Sequence, residues 1–235
     1  MRMRKKKNGE KRLYECGEFL YRHEGAPLTS PQTVFGKDST TPVYLEIGAG
    51  KGGFACGVVS RDPEVCYFAM ERVSDCVTLA AERAKSEGLS GSLRFIVDTA
   101  DNLTKIFASC TVDKIFLNFS DPWSKKGYAK RRLTHRRYLA VYMNLLKDGG
   151  TLTFKTDNVG LYDFTLEEIE AMGLSPIAAT RDLHASEWRA DNVITEYERN
   201  FTEQGMKINM VRIEKPVGFA PEISEELTPD RPVYH

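Results

Sequence analysis

The stretch that constrains this chain most is "VYLEIGAGKGGF", residues 43–54. Residues of strand-forming character run straight into four glycines, Gly48, Gly50, Gly52 and Gly53, and a helical pattern opens immediately after them. Glycine permits positive φ and lets backbone N–H groups approach a ligand with no Cβ in between. Strand, glycine turn and helix form the first unit of a βα alternation, and the chain repeats it. "VCYFAME" (65–71), "LRFIVD" (93–98), "KIFLNF" (114–119) and "TLTFKT" (151–156) read as strands, with helices predicted near 52–60, 73–87 and 134–146. The second of these helices is expected to stop at Gly88 and the third at Gly149-Gly150. Short, nearly continuous apolar runs suit strands covered on both faces, as in parallel sheets flanked by helices. The expected fold class is α/β, a single doubly wound Rossmann-like sheet. Ligands of such sheets bind beyond the carboxyl ends of the strands, where the strand order reverses.

The pattern changes past residue 173. "IAAT" (177–180) reads as a strand, 193–203 as a helix and "KINMVRIE" (207–214) as a final strand, which would make the sheet mostly parallel with an antiparallel C-terminal strand. Residues 13–24 are predicted to form a short helix. The expected organisation is a basic N-terminal arm over 1–12, one domain over 13–215 and a loose proline-bearing tail over 216–235, without internal repeats. Net charge is zero, with Lys+Arg and Asp+Glu both 33, which argues against a general nucleic-acid coat but leaves local patches open. The five cysteines form no C-x-x-C pair, so reduced thiols in a cytoplasmic protein are expected. No apolar run approaches the ~20 residues a membrane helix needs, and the basic arm lacks the apolar segment of a secretory signal. The four histidines lie far apart without ligand spacing, so no metal is expected.

The spacing Gly48-x-Gly50-x-x-Gly53 satisfies the dinucleotide pattern, with Glu71 closing the second strand. NAD and S-adenosylmethionine both carry an adenosine whose ribose diol suits a carboxylate there, so Glu71 serves either. Glu46 separates them. Expected at the mouth of the first strand, it would repel a pyrophosphate and favour a sulfonium ligand with its α-ammonium group. Asp98, ending the third strand, is placed to reach an adenine amino group, to cap the segment beginning near Thr99, or both. The acids together favour S-adenosylmethionine.

"NFSDPWSKKGYAKRRLTHRRY" (118–138) then raises a question. It ends the fourth strand with Asp121 and Trp123 and follows them with seven Lys or Arg between 125 and 137, interleaved with Tyr128, His135 and Tyr138. Such cations suit phosphates, and aromatics beside them suit unpaired bases. A solvated loop is the plain alternative, and its position after a candidate active-site strand end speaks against it. Asp121 would lie where a cationic methyl donor and an anionic polymer meet. Trp123 is expected either to wall a base pocket or to pack in the core.

The set "YLEIGAGKGGF", "LNFSDPWSKKGYAKRRL", "FKTDN" and "TEYERNF" resembles the bacterial tRNA (guanine-N7-)-methyltransferase family over roughly residues 40–215. The resemblance implies a class I methyltransferase domain, S-adenosylmethionine as donor and a guanine of the tRNA variable loop as acceptor. By position it implies Glu46, Gly48, Gly50, Glu71, Asp98 and Asp121 as cofactor-binding, with Asp121 also catalytic. Lys125, Asp157, Thr195, Tyr197 and Glu198 match substrate contacts, and Gly127, Tyr128, Ala129, Lys130, Arg131 and Arg132 the RNA-contacting loop. This sequence departs from many members at Ser124, where they have proline, and at Gly127-Tyr128, where they have Arg-His. Asp121, Asp157 and Glu198 all stand as readers of the guanine edge. tRNA is the expected partner, with no membrane and no metal, and the protein a monomer or homodimer. The rivals are an NAD-dependent oxidoreductase on the same sheet, a non-catalytic RNA-binding protein, and a methyltransferase acting on a base amino group.

Overall fold

The computed structural model describes residues 8–223. Its centre is a seven-stranded sheet in the order β3-β2-β1-β4-β5-β7-β6. The strands are β1 (Val43–Ile47), β2 (Cys66–Glu71), β3 (Leu93–Val97), β4 (Val112–Asn118), β5 (Leu146–Thr156), β6 (Pro176–Thr180) and β7 (Asn209–Glu214). The first five are mutually parallel, and β7 runs antiparallel to both β5 and β6. Order therefore reverses at β1, between β2 on one side and β4 on the other.

The helices are α1 (Gly9–Tyr14), α2 (Gly53–Arg61), α3 (Ser74–Ser86), α4 (Leu103–Ile106), α5 (Arg136–Leu145), α6 (Val159–Ala171) and α7 (Glu196–Glu203). Alternation along the strands explains two cores. Val43, Leu45, Ile47, Phe68, Leu117 and Phe154 face α4, α5 and α6. Tyr44, Tyr67 and Ala69 face α2 and α3, whose Phe54, Val59, Val77 and Ala80 complete that layer. Every residue of β1 is buried, as a central strand covered on both faces requires.

Several expectations are corrected. Residues 13–24 are not one helix: α1 ends at Tyr14, a 3-10 turn covers Gly17–Phe19, and Leu20 bridges Phe95 beside β3. Burial of Cys16 and Phe19 and the Tyr21 N–H donated to the Phe95 carbonyl (2.9 Å) hold the segment extended against the sheet edge. The described part of the basic arm touches the domain through Arg12, which donates two hydrogen bonds to Glu82 of α3. Residues 1–7 of that arm and 224–235 of the tail lie outside the described residues. The start of the tail is held too, by the Gly218 N–H donated to Asp148 (3.2 Å).

Helix α6 went unread in the sequence although Asn158 caps it by accepting from the Leu161 N–H (2.8 Å). Gly149-Gly150 do not end a helix. They lie within β5, which begins at Leu146, where the pairing with β4 shifts register. A Cβ on Gly150 would sit 2.8 Å from the Lys147 carbonyl oxygen and 3.0 Å from that of Asp113, backbone atoms that cannot move cheaply. Gly150→Ala is therefore expected to destabilise the fold by roughly 1–3 kcal/mol, read as a lower urea midpoint with an unchanged slope.

Candidate active site

The carboxyl ends of β1 to β5 share one edge of the sheet. After β1 the chain passes through Gly48, Gly50 and Gly52, all at positive φ, into α2. Only glycine fits at Gly52, where a Cβ would lie 2.8 Å from the Ala80 Cβ, so the turn presses directly on α3. Glu71 closes β2 and accepts hydrogen bonds from the Gly50 N–H (3.0 Å) and the Val73 N–H (2.9 Å). Its carboxylate is thereby fixed against the glycine turn. Asp98 follows β3, and its Oδ1 accepts from the Thr99 N–H (2.7 Å) and the Asn102 side-chain amide (2.8 Å), which organises the turn before α4.

Glu46 does not stand at an open mouth. It lies inside β1 on the face toward α2, 2% exposed, and accepts from the Asn118 amide (3.0 Å) and the Tyr67 hydroxyl (3.3 Å). Burial pushes its carboxyl up from an ordinary 4.5 to about 7, although Asn118, Tyr67 and Lys155 pull it down. Beside it, the nearly buried ammonium of Lys155 on β5 donates to Asn192 Oδ1 (2.8 Å), the Val193 carbonyl (3.1 Å) and Glu198 Oε2 (2.8 Å), and lies over the Phe54 ring.

Beyond β4, the Phe119 N–H donates to the Lys155 carbonyl (2.9 Å), and the chain then turns sharply. Phe119 (φ 52°) and Trp123 (φ 41°) both occupy the left-handed region that side chains disfavour. The hydroxyl of Ser120 is buried without a hydrogen-bond partner among the described residues. Asp121 is 70% exposed, with the Arg72 guanidinium 3.8 Å away. Arg132 returns to this turn, donating to the carbonyls of Pro122 (2.9 Å) and Trp123 (3.2 Å). Trp123 is absent from the buried cores. It meets Tyr128 edge-on at 5.8 Å, and the Arg131 guanidinium covers both rings.

The basic block divides by task. Arg136 is held by Glu168 through two side-chain bonds of 2.9 Å, and Arg137 by the Tyr138 hydroxyl, so these cations support the fold. Lys125 is exposed, and Gly127, Tyr128, Ala129, Lys130 and Arg131 lie on the 3-10 segment Lys126–Arg131 that carries the outer part of the block.

Thr195 and Glu198 form a capping box at the start of α7: the Thr195 hydroxyl accepts from the Glu198 N–H (2.9 Å) and Glu198 Oε2 from the Thr195 N–H (3.4 Å). Glu198 is fully buried and engaged by Lys155, so the carboxylate expected to touch substrate presents no open face here. Tyr197 is the exposed member (63%), stacked on Phe119 at 6.4 Å. Asp157 is half-buried at the end of β5. No motif in the sequence marks Lys155, Tyr67 or Arg72. A lysine alternating inward within "TLTFKT" was the available signal for the first.

These residues fit S-adenosylmethionine: a turn whose Gly48, Gly50 and Gly52 carry no Cβ, carboxylates after β2, β3 and β4 for a diol and cations, and an orphaned hydroxyl beside Asp121. Among the described residues, no group of three or more His, Cys, Asp or Glu is arranged to hold a metal ion.

The buried Glu46 carboxyl generates a pH prediction. A group favoured in its neutral form stabilises the fold fully below its unfolded value near 4.5, and that stability is lost as pH rises through about 7. Between pH 5 and pH 8.5 the stability of the wild type relative to Glu46→Gln should fall by about 3 kcal/mol at most. Urea unfolding of both proteins across this range checks it, and parallel pH dependences would contradict it.

A family model described as "Putative methyltransferase" matches residues 40–211. The tRNA (guanine-N(7)-)-methyltransferase of Staphylococcus epidermidis is 41% identical over 167 residues, 71% of this chain and 77% of that protein. The protein of the same name from Streptococcus sanguinis is 34% identical over 211 residues, 90% of this chain and 98% of its own. Among solved structures, an antibiotic-related methyltransferase aligns with a TM-score of 0.56 at 14% identity, covering 81% of this chain and 95% of that one. The 16S rRNA methyltransferase KamB aligns at 0.56 and 11% identity, covering 74% and 88%. At such identities the structural likeness is one of fold, the class I methyltransferase sheet. With a sequence relationship that spans the glycine turn, the Asp121 turn and the basic segment, this chain belongs to the tRNA (guanine-N7-)-methyltransferase family.

Proposed function

We infer that this protein methylates N7 of a guanine in tRNA, with S-adenosylmethionine as donor and the variable loop as the target region. The observation that carries the reading is the meeting of the Glu71-bound glycine turn and the exposed Asp121 across the end of β1, with a cationic segment directly behind Asp121. S-adenosylmethionine supplies an electrophilic methyl group on a sulfonium. Guanine N7 already offers an in-plane lone pair, so no residue has to remove a proton before transfer.

The protein's part is positioning and electrostatics. Glu71, fixed by Gly50 and Val73, would take the ribose diol, and Asp98 the adenine amino group. Asp121 would hold the donor's cationic end or the N1–H and N2–H edge of guanine, a donor pair that adenine lacks, and would stabilise the positive charge that appears on the purine. Asp157 shares the candidacy for the guanine edge, while Glu198 is suited to fixing α7 so that Thr195 and Tyr197 face the base. Lys125 and Arg131 would contact phosphates, with Tyr128 and Tyr197 as stacking surfaces. Arg132 is better suited to holding the Pro122-Trp123 turn. Five free cysteines, three of them buried, suit the reducing cytoplasm in which tRNA is modified. An NAD-dependent reaction is not favoured, because among the described residues no catalytic tyrosine-lysine pair or hydride-handling histidine ends a strand.

Incubation with labelled S-adenosylmethionine and unmodified tRNA, followed by nucleoside analysis, should yield 7-methylguanosine. Asp121→Asn should fold normally, being a surface change, and lose methylation by ~100-fold or more. Near-wild-type turnover would remove Asp121 from the mechanism.

The cations should separate in a second measurement. Lys125→Ala and Arg131→Ala are expected to weaken tRNA binding and each to reduce the slope of log affinity against log salt by about one. Arg132→Ala should lower kcat as well, because it releases the carbonyls that shape the Asp121 turn. Equal effects of all three on binding alone would reject this division.

A further inference from the structure

Arg72 directly follows Glu71 at the end of β2, while Asp121 follows β4. These strands flank β1 on opposite sides, so the Arg72–Asp121 contact at 3.8 Å spans the sheet edge where the strand order reverses. Asp157, after β5, is half-buried, and three other acids of this edge already accept hydrogen bonds from the protein. Glu71 accepts from two backbone amides, Glu46 is buried with Asn118 and Tyr67, and Asp98 holds Thr99 and Asn102. Asp121 is 70% exposed, and Arg72, itself 58% exposed, is the cation the structure sets against it. An ion pair this exposed adds little to stability, so it breaks readily.

We propose that Arg72 competes with the cationic end of S-adenosylmethionine for Asp121, and that its displaced guanidinium takes a tRNA phosphate. The proposal rests on reading Asp121 as the acid of the donor's charged end. Two cations cannot share one exposed carboxylate without mutual repulsion. Displacement delivers Arg72 to the side of the edge that carries Lys125 and the 3-10 segment, adding one cation to the phosphate-binding set. The cofactor thereby raises the affinity for tRNA, and by thermodynamic reciprocity tRNA raises the affinity for the cofactor by the same factor. Arg72 is a positioning residue in this scheme, not a catalytic one.

The test uses sinefungin, an analogue that keeps a positive charge near the sulfonium position and transfers no methyl group. For the wild type, sinefungin should tighten tRNA binding about 2- to 5-fold and steepen its salt slope by about one. In Arg72→Gln both effects should vanish, while calorimetry should find sinefungin itself bound about 2- to 5-fold more tightly. Arg72→Lys should retain the wild-type pattern. The proposal is overturned if Arg72→Gln keeps the sinefungin effect on tRNA, or binds sinefungin no more tightly than the wild type. Failure of the wild type to bind sinefungin or S-adenosylmethionine at all would instead sink the cofactor reading of the site, and this exchange with it.

Discussion

The buried ammonium of Lys155 organises the site more than any group that would touch a ligand. Removing an ammonium from water costs several kcal/mol unless its charge and donors are met. Here burial pushes its pKa below the ordinary value while Glu198 pulls it back up. To satisfy it, the chain brings Asn192, Val193 and Glu198 down onto the face of the sheet that also carries Glu46 and Asn118. The backbone of the same residue accepts the Phe119 N–H and so sets where the turn after β4 begins. One residue thus registers the segment bearing Asp121 against the helix bearing Tyr197.

That turn is maintained against local preference. Two bulky residues at positive φ cost roughly 1–2 kcal/mol each, and such strain persists only where surrounding bonds determine it. Arg132 grips both carbonyls next to the strained Trp123, and Arg131 lies over the Trp123 and Tyr128 rings. This answers the puzzle of a dense cationic stretch in a neutral chain. Arg132 shapes the turn, Arg136 and Arg137 tie α5 to Glu168 and Asp101, and Lys125 and Arg131 are the candidates for an anion.

The sheet and its ligand edge were legible because their signals are local: apolar runs, glycines at strand ends and acids one step beyond. What escaped depends on neighbours distant in sequence. Glu46 reads as an open acid beside the glycines, yet pleat alternation turns it inward, where Tyr67 and Asn118 flank it. Gly149-Gly150 resemble a helix stop, although the bulge opposite Asp113 is what demands them. Glu198 reads as part of a contact motif, and only the position of Lys155 reveals its structural duty. Arg72 carries no motif at all, since its significance comes from two strands lying on either side of a third.

The insertion of β7 between β5 and β6 has a consequence for biosynthesis. β6 leaves the ribosome before β7, yet within the sheet it hydrogen-bonds to β7 alone, so it cannot dock until the later strand arrives. α7 also precedes β7 in the chain, and the Glu198 partner of Lys155 comes with it. The glycine turn and the strands around it can be in place while translation continues, whereas the face that would grip a nucleobase closes only once the last strand has threaded home. A nascent chain would then acquire the donor pocket before the Tyr197 side of the site.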